Sequence, residues 1–293
     1  MDAWPQLEYA HWRPTGETLH RWLQIAGKVR LALAPHRNHF WEATFYLSAR
    51  GLTSSTIPLP GGAGAFEIVF DFLADQVVIT TTAGAQASVG LRPCSVAEFE
   101  REFLGALDQL DIQVKIWNMP VEIPNPVRFD QDRVHTSYYG EVVRRWWGAL
   151  IAIERVFNQY RADFAGKASP VHLFWGSLDL AHTRFSGRRA PERPGADAVT
   201  LEAYSHECAS VGFWAGSPEF PEAAFYAYAV PEPPGYRSAT LLPQAAFYDA
   251  KMGEYLLRYE DVRRAPDPAA ALLQFARSTY AAAAHLGEWQ RAA

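Results

Sequence analysis

The residues whose types could do chemistry crowd into two segments, SPVHLFWGSLDLAHTRFSGRRAP (169–191) and EAYSHECASVGFW (202–214). They supply His172, Asp179, Glu202, His206 and Glu207. In an extended strand, side chains two apart share a face, so Glu202, Tyr204 and His206 would line up. A neighbouring strand carrying His172 would complete two imidazoles and a carboxylate. Such a trio of His172, His206 and Glu202 suits a divalent metal such as iron, manganese or zinc. Without metal, the same groups suit acid–base work, with Asp179 and Glu207 as further carboxylates. The structural alternative is that these histidines simply hydrogen-bond within a sheet. Arg184 and Arg188, close to Ser186 and Gly187, have the chemistry to capture a carboxylate or phosphate, although loop arginines are more often just solvated. Trp175, Tyr204, Trp214 and Tyr226 would wall an aromatic pocket, or else pack a core. Asp130 and Asp132 form a DxD too short to carry weight. His20 and His135 read as polar contacts between elements, and Asn38–His39 as a turn that opens a strand.

The elements around these segments follow from hydrophobic spacing. A helix is expected over 16–27, with Leu19, Trp22, Leu23 and Ala26 on one face and Gly27 as its stop. Strands are expected at 29–33 and 43–49, followed by the loop IPLPGGAGA. In 66–72, Phe66, Ile68, Phe70 and Phe72 alternate with Glu67 and Asp71, the pattern of a half-buried strand. Strands at 77–82 and 87–91 complete a meander, and Ser95 with Glu98 makes a capping box for the next helix. Val143, Trp146, Leu150, Ile153, Phe157, Tyr160 and Phe164 recur at helical spacing. Further strands are expected at 171–185, 200–214, 224–230 and 255–259. Asp267 as cap and Pro268 at the first position open a last helix.

The expected fold is therefore α+β, two similar helix–antiparallel meander–helix halves, an arrangement that suggests internal duplication. The halves would span 1–117 and 138–293, joined by a proline-rich connection at 118–137. The second half holds the candidate site.

Composition narrows the function classes. With 27 basic and 32 acidic residues the formal charge is -5, which gives no general attraction to nucleic acid or anionic lipid. No apolar run reaches the ~20 residues that span a bilayer, and the N-terminus lacks a secretory pattern, so a cytoplasmic location is expected. The two cysteines, Cys94 and Cys208, make no disulfide framework and read as buried thiols. Phosphate loop, dinucleotide fingerprint, nucleophile elbow, zinc-protease helix and paired CxxC are all missing.

The two polar segments, with QIAGKVRLAL, ARGLTSSTIP, PEAAFYAYAVPEPPG and APDPAAALL, resemble the bacterial family catalogued as domain of unknown function 5996. The resemblance covers nearly the whole chain; this sequence reads NHFW where the family pattern has NHWW. It implies no activity, cofactor or catalytic residue. Two classes stay open: an enzyme acting on a small anionic molecule through the His/carboxylate site, and a non-catalytic protein that binds a small ligand or a partner through an aromatic pocket.

Overall fold

A computed structural model describes residues 3–289. In chain order the elements are α1 (Tyr9–Leu33), β1 (Thr44–Ser48), β2 (Gly51–Pro58), β3 (Ala65–Asp71), β4 (Gln76–Thr81), β5 (Gln86–Gly90) and α2 (Val96–Asp108). The second half adds α3 (Gly140–Ala162), β6 (His172–Phe174), β7 (Asp179–Arg189), α4 (Ala198–Ala203), β8 (His206–Trp214) and β9 (Ala224–Val230). It closes with β10 (Phe247–Asp249), β11 (Glu254–Arg258), α5 (Tyr259–Arg263) and α6 (Pro268–Leu286).

Among the described residues, all eleven strands join one antiparallel sheet in the order β10-β11-β9-β8-β7-β6-β1-β2-β3-β4-β5. The first meander meets the second where β1 pairs with β6, Phe45 opposite Leu173. Because side chains alternate across a strand, register assigns every residue to a face. Phe45, Phe70, Leu173, Leu180, Phe213, Phe225 and Leu257 fall on one face and are wholly buried. Against that face lie the long helices. Trp22 of α1 stacks on Phe99 of α2 at 4.7 Å, Trp12 of α1 on Trp146 of α3 at 5.0 Å, and Tyr160 of α3 meets Tyr280 of α6. Burying each such aromatic stabilises the fold by roughly 1.5–3 kcal/mol, so apolar area sets the layer order. The α+β class stands.

Several local expectations hold. The strand over 66–72 has its alternation, Ser95 caps α2 by accepting from Glu98 N at 3.2 Å, and Asp267 caps α6 by accepting from Ala270 N at 3.0 Å. Cys94 and Cys208 are buried free thiols.

Other expectations are overturned. The first helix runs on through 29–33, where a strand was expected, because Gly27 is not a stop. A Cβ at Gly27 would sit 2.5 Å from the Trp175 indole, so the glycine serves close helix–hairpin approach inside the helix. The strand β2 was missed because a bulge between Thr53 and Thr56, with Ser55 at φ 56°, breaks the alternation in GLTSSTIP. The segment 171–185 is a hairpin of β6 and β7 rather than one strand. The segment from 200 begins as helix, because Asp197 caps α4 by accepting from Val199 N and Thr200 N at 2.9 and 3.0 Å. Glu202 is therefore helical and does not line up with Tyr204 and His206 along a strand.

Candidate functional site

The sheet's other face carries the chemistry. Register places Thr44, Tyr46, His172, Phe174, Asp179, Thr183, Phe185, Ser210, Trp214, Tyr226 and Tyr228 there. Instead of a helical layer, this face has the turn 36–42 and the 190–205 segment over it: His39 stacks on Phe185 at 4.6 Å, and Tyr204 meets Tyr228.

A histidine–lysine centre forms at one end. His39 sits in the turn before β1 with φ 62°, followed by Phe40 at φ 55°. Such left-handed backbone costs a residue other than glycine of order 1–3 kcal/mol and persists only where surroundings enforce it. The enforcement comes from α4. Glu202 accepts from His39 N at 3.0 Å and from His36 Nε2 at 2.9 Å, while His36 Nδ1 donates to Glu42 at 2.6 Å. Lying between two carboxylates, with Glu42 the stronger influence, His36 has its pKa raised.

The His39 ring has a defined tautomer. Its Nδ1 faces only carbonyl oxygens, Glu202 O at 3.1 Å and Ala203 O at 3.3 Å, so Nδ1 must carry the proton. Nε2 is then the acceptor, and Lys167 Nζ donates to it at 2.7 Å. Burial and then the Lys167 charge lower the His39 pKa, which keeps the ring neutral. Lys167 is solvent-exposed, with its ammonium 4.9 Å from the Phe185 ring centroid; partial burial lowers its pKa. His206 lies edge-on to His39 at 5.9 Å, with Nδ1 at 3.1 Å from Ser205 Oγ. Its pKa is lowered by burial and by Lys167 and Arg189. Among the described residues no carboxylate bonds to Lys167 or Arg189, and His206 feels the positive charge of both.

A tyrosine–carboxylate trough forms at the other end. Asp179 accepts from Tyr226 and Ser177 hydroxyls; Tyr226 stacks with Tyr228 at 5.9 Å, and Tyr228 meets the Tyr204 hydroxyl at 3.2 Å. Trp214 closes the row, 6.0 Å from Tyr226. Gly212 makes the room: a Cβ there would lie 2.2 Å from the Tyr226 ring. Glu122 and Glu254 stand close enough to Asp179 to feel its charge. Burial, then Asp179, raises both, Glu254 to about 7. Glu122, an exposed residue, is presented at φ 56° by a chain anchored through Gln24, which both donates to and accepts from the Val121 backbone at 2.8 Å. The Arg193 guanidinium rests 4.7 Å from the Tyr204 ring centroid.

Of the residues singled out in the sequence, Asp179, Tyr204, Trp214 and Tyr226 converge in this trough, and His206 lies in the histidine–lysine centre with Glu202 bracing it. The others scatter. His172 does lie on the open face, but 1 % exposed among Trp41, Tyr46 and Phe174, with Nδ1 unpartnered. No hydrogen bond, ion pair or ring contact among the described residues links it to His206 or Glu202. The expected iron, manganese or zinc set of His172, His206 and Glu202 is thus not assembled, since Glu202 belongs to α4 and is spent on His36 and His39. No three histidine, cysteine or acidic side chains among the described residues stand together as a metal-ligand group. Arg184 points to the helical face, its guanidinium 3.4 Å from the Tyr160 ring centroid and 4.4 Å from that of Tyr280. Arg188 ties down the C-terminal helix: it pairs with Glu207 and donates to the Gly287 and Glu288 carbonyls, which also occupies Glu207. Trp175 is core, against Gly27.

Sequence reasoning missed His36, His39, Glu42 and Lys167 as a group, and Tyr228, Glu122 and Glu254. One signal was available: AFYAYAV buries Phe225, Ala227 and Ala229 and so sends Tyr226 and Tyr228 together to the other face. The recesses elsewhere, about 40 Å³ beside Trp12 and about 260 Å³ beside Leu104, do not touch the open face.

One comparison decides kinship: a family model matches residues 4–293. The chain belongs to the DUF5996 family, a family of unknown function. No curated protein and no solved structure matches it. In this DUF5996 protein no helix among the described residues is long and apolar enough to cross a membrane.

The buried His172 gives a pH prediction. Burial, with His182 and Arg30 nearby, lowers its pKa to about 3, against an ordinary 6.5. Below pH 6.5 the unfolded chain takes up a proton that the folded chain refuses, so His172 costs stability as pH falls toward 3. Replacing it by leucine removes that penalty. The stability of His172→Leu relative to wild type is expected to rise by about 1.4 kcal/mol per pH unit between pH 6 and 4 in urea denaturation. A pH-independent difference would mean that the imidazole is already charged in the folded state.

Proposed function

We propose that this DUF5996 protein is an enzyme acting on a small anionic molecule, with His39, Lys167 and His206 as its centre. The observation that carries the reading is the 2.7 Å contact from Lys167 Nζ to the bare Nε2 of His39, with His39 Nδ1 fixed by two carbonyls. A reactive group, a base within hydrogen-bond reach and a third element that orients the base form the general pattern of an activated centre. Lys167 and Arg189 draw in the anion, His39 accepts a proton, and His206 supplies a second titratable imidazole. Glu202 and His36 are positioning residues that hold His39 in its left-handed conformation. Left-handed backbone at a centre of this kind is where stored strain is commonly found.

The reading is tested by calorimetric titration with inorganic phosphate and with pyruvate. Affinity is expected to rise as pH falls through the depressed His206 pKa, because the protonated ring adds positive charge beside Lys167 and Arg189. Binding of neither anion, or affinity unchanged by His206→Gln at low pH, would remove the proposal.

A second reading, non-catalytic binding of a small ligand in an aromatic pocket, is favoured by the wall of Tyr204, Tyr226, Tyr228 and Trp214. Under that reading Tyr228→Ala abolishes binding, while Lys167→Ala leaves it intact.

A further inference from the structure

We propose that Lys167 is a nucleophile that forms an imine with the ketone carbon of a 2-oxo acid, with His39 as its proton acceptor; this rests on the proposed anion-binding centre and names its substrate class. Three observations support it. Lys167 is one of only four lysines, with Lys28, Lys115 and Lys251, in a chain that meets its other needs for positive charge with arginine. Arginine is effectively always protonated, whereas a lysine amine can lose its proton and attack. Lys167 is also exposed, with no carboxylate bonded to it among the described residues, and its hydrogen-bond partner is an imidazole nitrogen with a free lone pair. A lysine serving only as a counter-ion for the fold would be paired with an acid. Finally, His206 feels the Lys167 charge and pairs with Arg189 across β7 and β8, so His206 and Arg189 can hold the carboxylate that neighbours the ketone.

The step balances without any further reagent. The neutral Lys167 amine adds its lone pair to the ketone carbon as the C=O π pair moves to oxygen, and the nitrogen becomes positively charged. His39 Nε2 takes one proton from that nitrogen and passes it to the alkoxide oxygen, which leaves a neutral carbinolamine. The hydroxyl then departs as water with a second proton, taken from solvent through His206, and the nitrogen lone pair closes the C=N bond to leave the protonated imine. Burial and the neighbouring charge explain how His39 stays neutral and so able to accept. Partial burial lowers the Lys167 pKa and increases the fraction of free amine.

The protein is incubated with pyruvate and sodium cyanoborohydride, and the adducts are mapped by peptide mass spectrometry. The reduced adduct is expected at Lys167, forming roughly tenfold or more faster than at the unassisted Lys115 and Lys251. Lys28, buried 4.8 Å from the Trp117 ring centroid with its pKa lowered to about 8, controls for a reactive but enclosed amine. Lys167→Arg keeps the charge and is expected to bind pyruvate without forming an adduct. Lactate, which lacks the ketone, should bind and protect Lys167 from labelling. Adducts spread evenly over the lysines, or an unlabelled Lys167 in protein that binds both pyruvate and lactate, would overturn the imine and leave the anion site standing. Absence of both binding and labelling would overturn both.

Discussion

Lys167→Ala is expected to weaken binding of phosphate or a small carboxylate by roughly 10- to 100-fold, the worth of one charge-assisted hydrogen bond at a partly desolvated site. The fold should be unaffected. Lys167 is exposed, and its side chain makes one hydrogen bond, to His39 Nε2. Removing the amine leaves Nε2 open to water, and the two carbonyls on Nδ1 still hold the ring. Calorimetric titration of the variant, with thermal unfolding as the control, separates the effects. Lost affinity with an unchanged Tm is the expected result; unchanged affinity would show that the anion is held elsewhere.

Asp132→Ala should produce the largest loss of stability, about 3–5 kcal/mol, because it strands a buried cation. Asp132 is fully buried and lies 3.2 Å from Arg21 Nε, a contact of charges without hydrogen-bond alignment. The carboxylate also accepts from Val134 N at 3.0 Å, His135 N at 3.1 Å and His135 Nδ1 at 2.7 Å. Burial alone would raise its pKa; the His135 imidazole and the two amides outweigh burial and hold it below the ordinary carboxylate range. Its contribution is therefore present above pH 4 and lost as pH falls through that depressed value. Asp132→Asn keeps the acceptor oxygen and should lose less. Urea denaturation of both variants checks the order: a loss under 1 kcal/mol for Asp132→Ala would mean that Arg21 finds solvent or another acceptor.

The same aspartate shows what can be read from sequence. Asp132 belonged to a DxD with no weight as a catalytic motif, and its role is to pin the proline-rich connection against α1. That connection delivers Glu122 to the trough, a placement no periodicity announces. Where hydrophobic spacing controls structure, as in β3 and α3, the sequence was sufficient. It failed where one residue type serves two physical ends. Gly27 looked like a helix stop and instead admits an indole, and Glu202 looked like a strand carboxylate until the Asp197 cap turned its segment into a helix. The trough was half legible, through Asp179, Tyr204, Trp214 and Tyr226. Of the histidine–lysine centre, His206 and Glu202 were singled out but His39 and Lys167 were not, because those two are 128 residues apart and meet only once the strands have paired. The dense run of ionisable residues at 169–191 drew attention instead, and much of it is occupied elsewhere: Arg184 by aromatic rings, Arg188 by the end of α6, His172 by the core.

The most direct measurement is side-chain nitrogen–proton NMR of uniformly ¹⁵N-labelled protein titrated with inorganic phosphate and then with pyruvate. The His39 and His206 ring signals are expected to shift together and to saturate at one affinity, with His39 keeping its proton on Nδ1 throughout. His172 and His182, buried away from the centre, should stay in place. Shifts confined to residues around Asp179 and Tyr226, with His39 and His206 unmoved, would contradict the assignment of this centre as the place where the protein meets its anionic ligand.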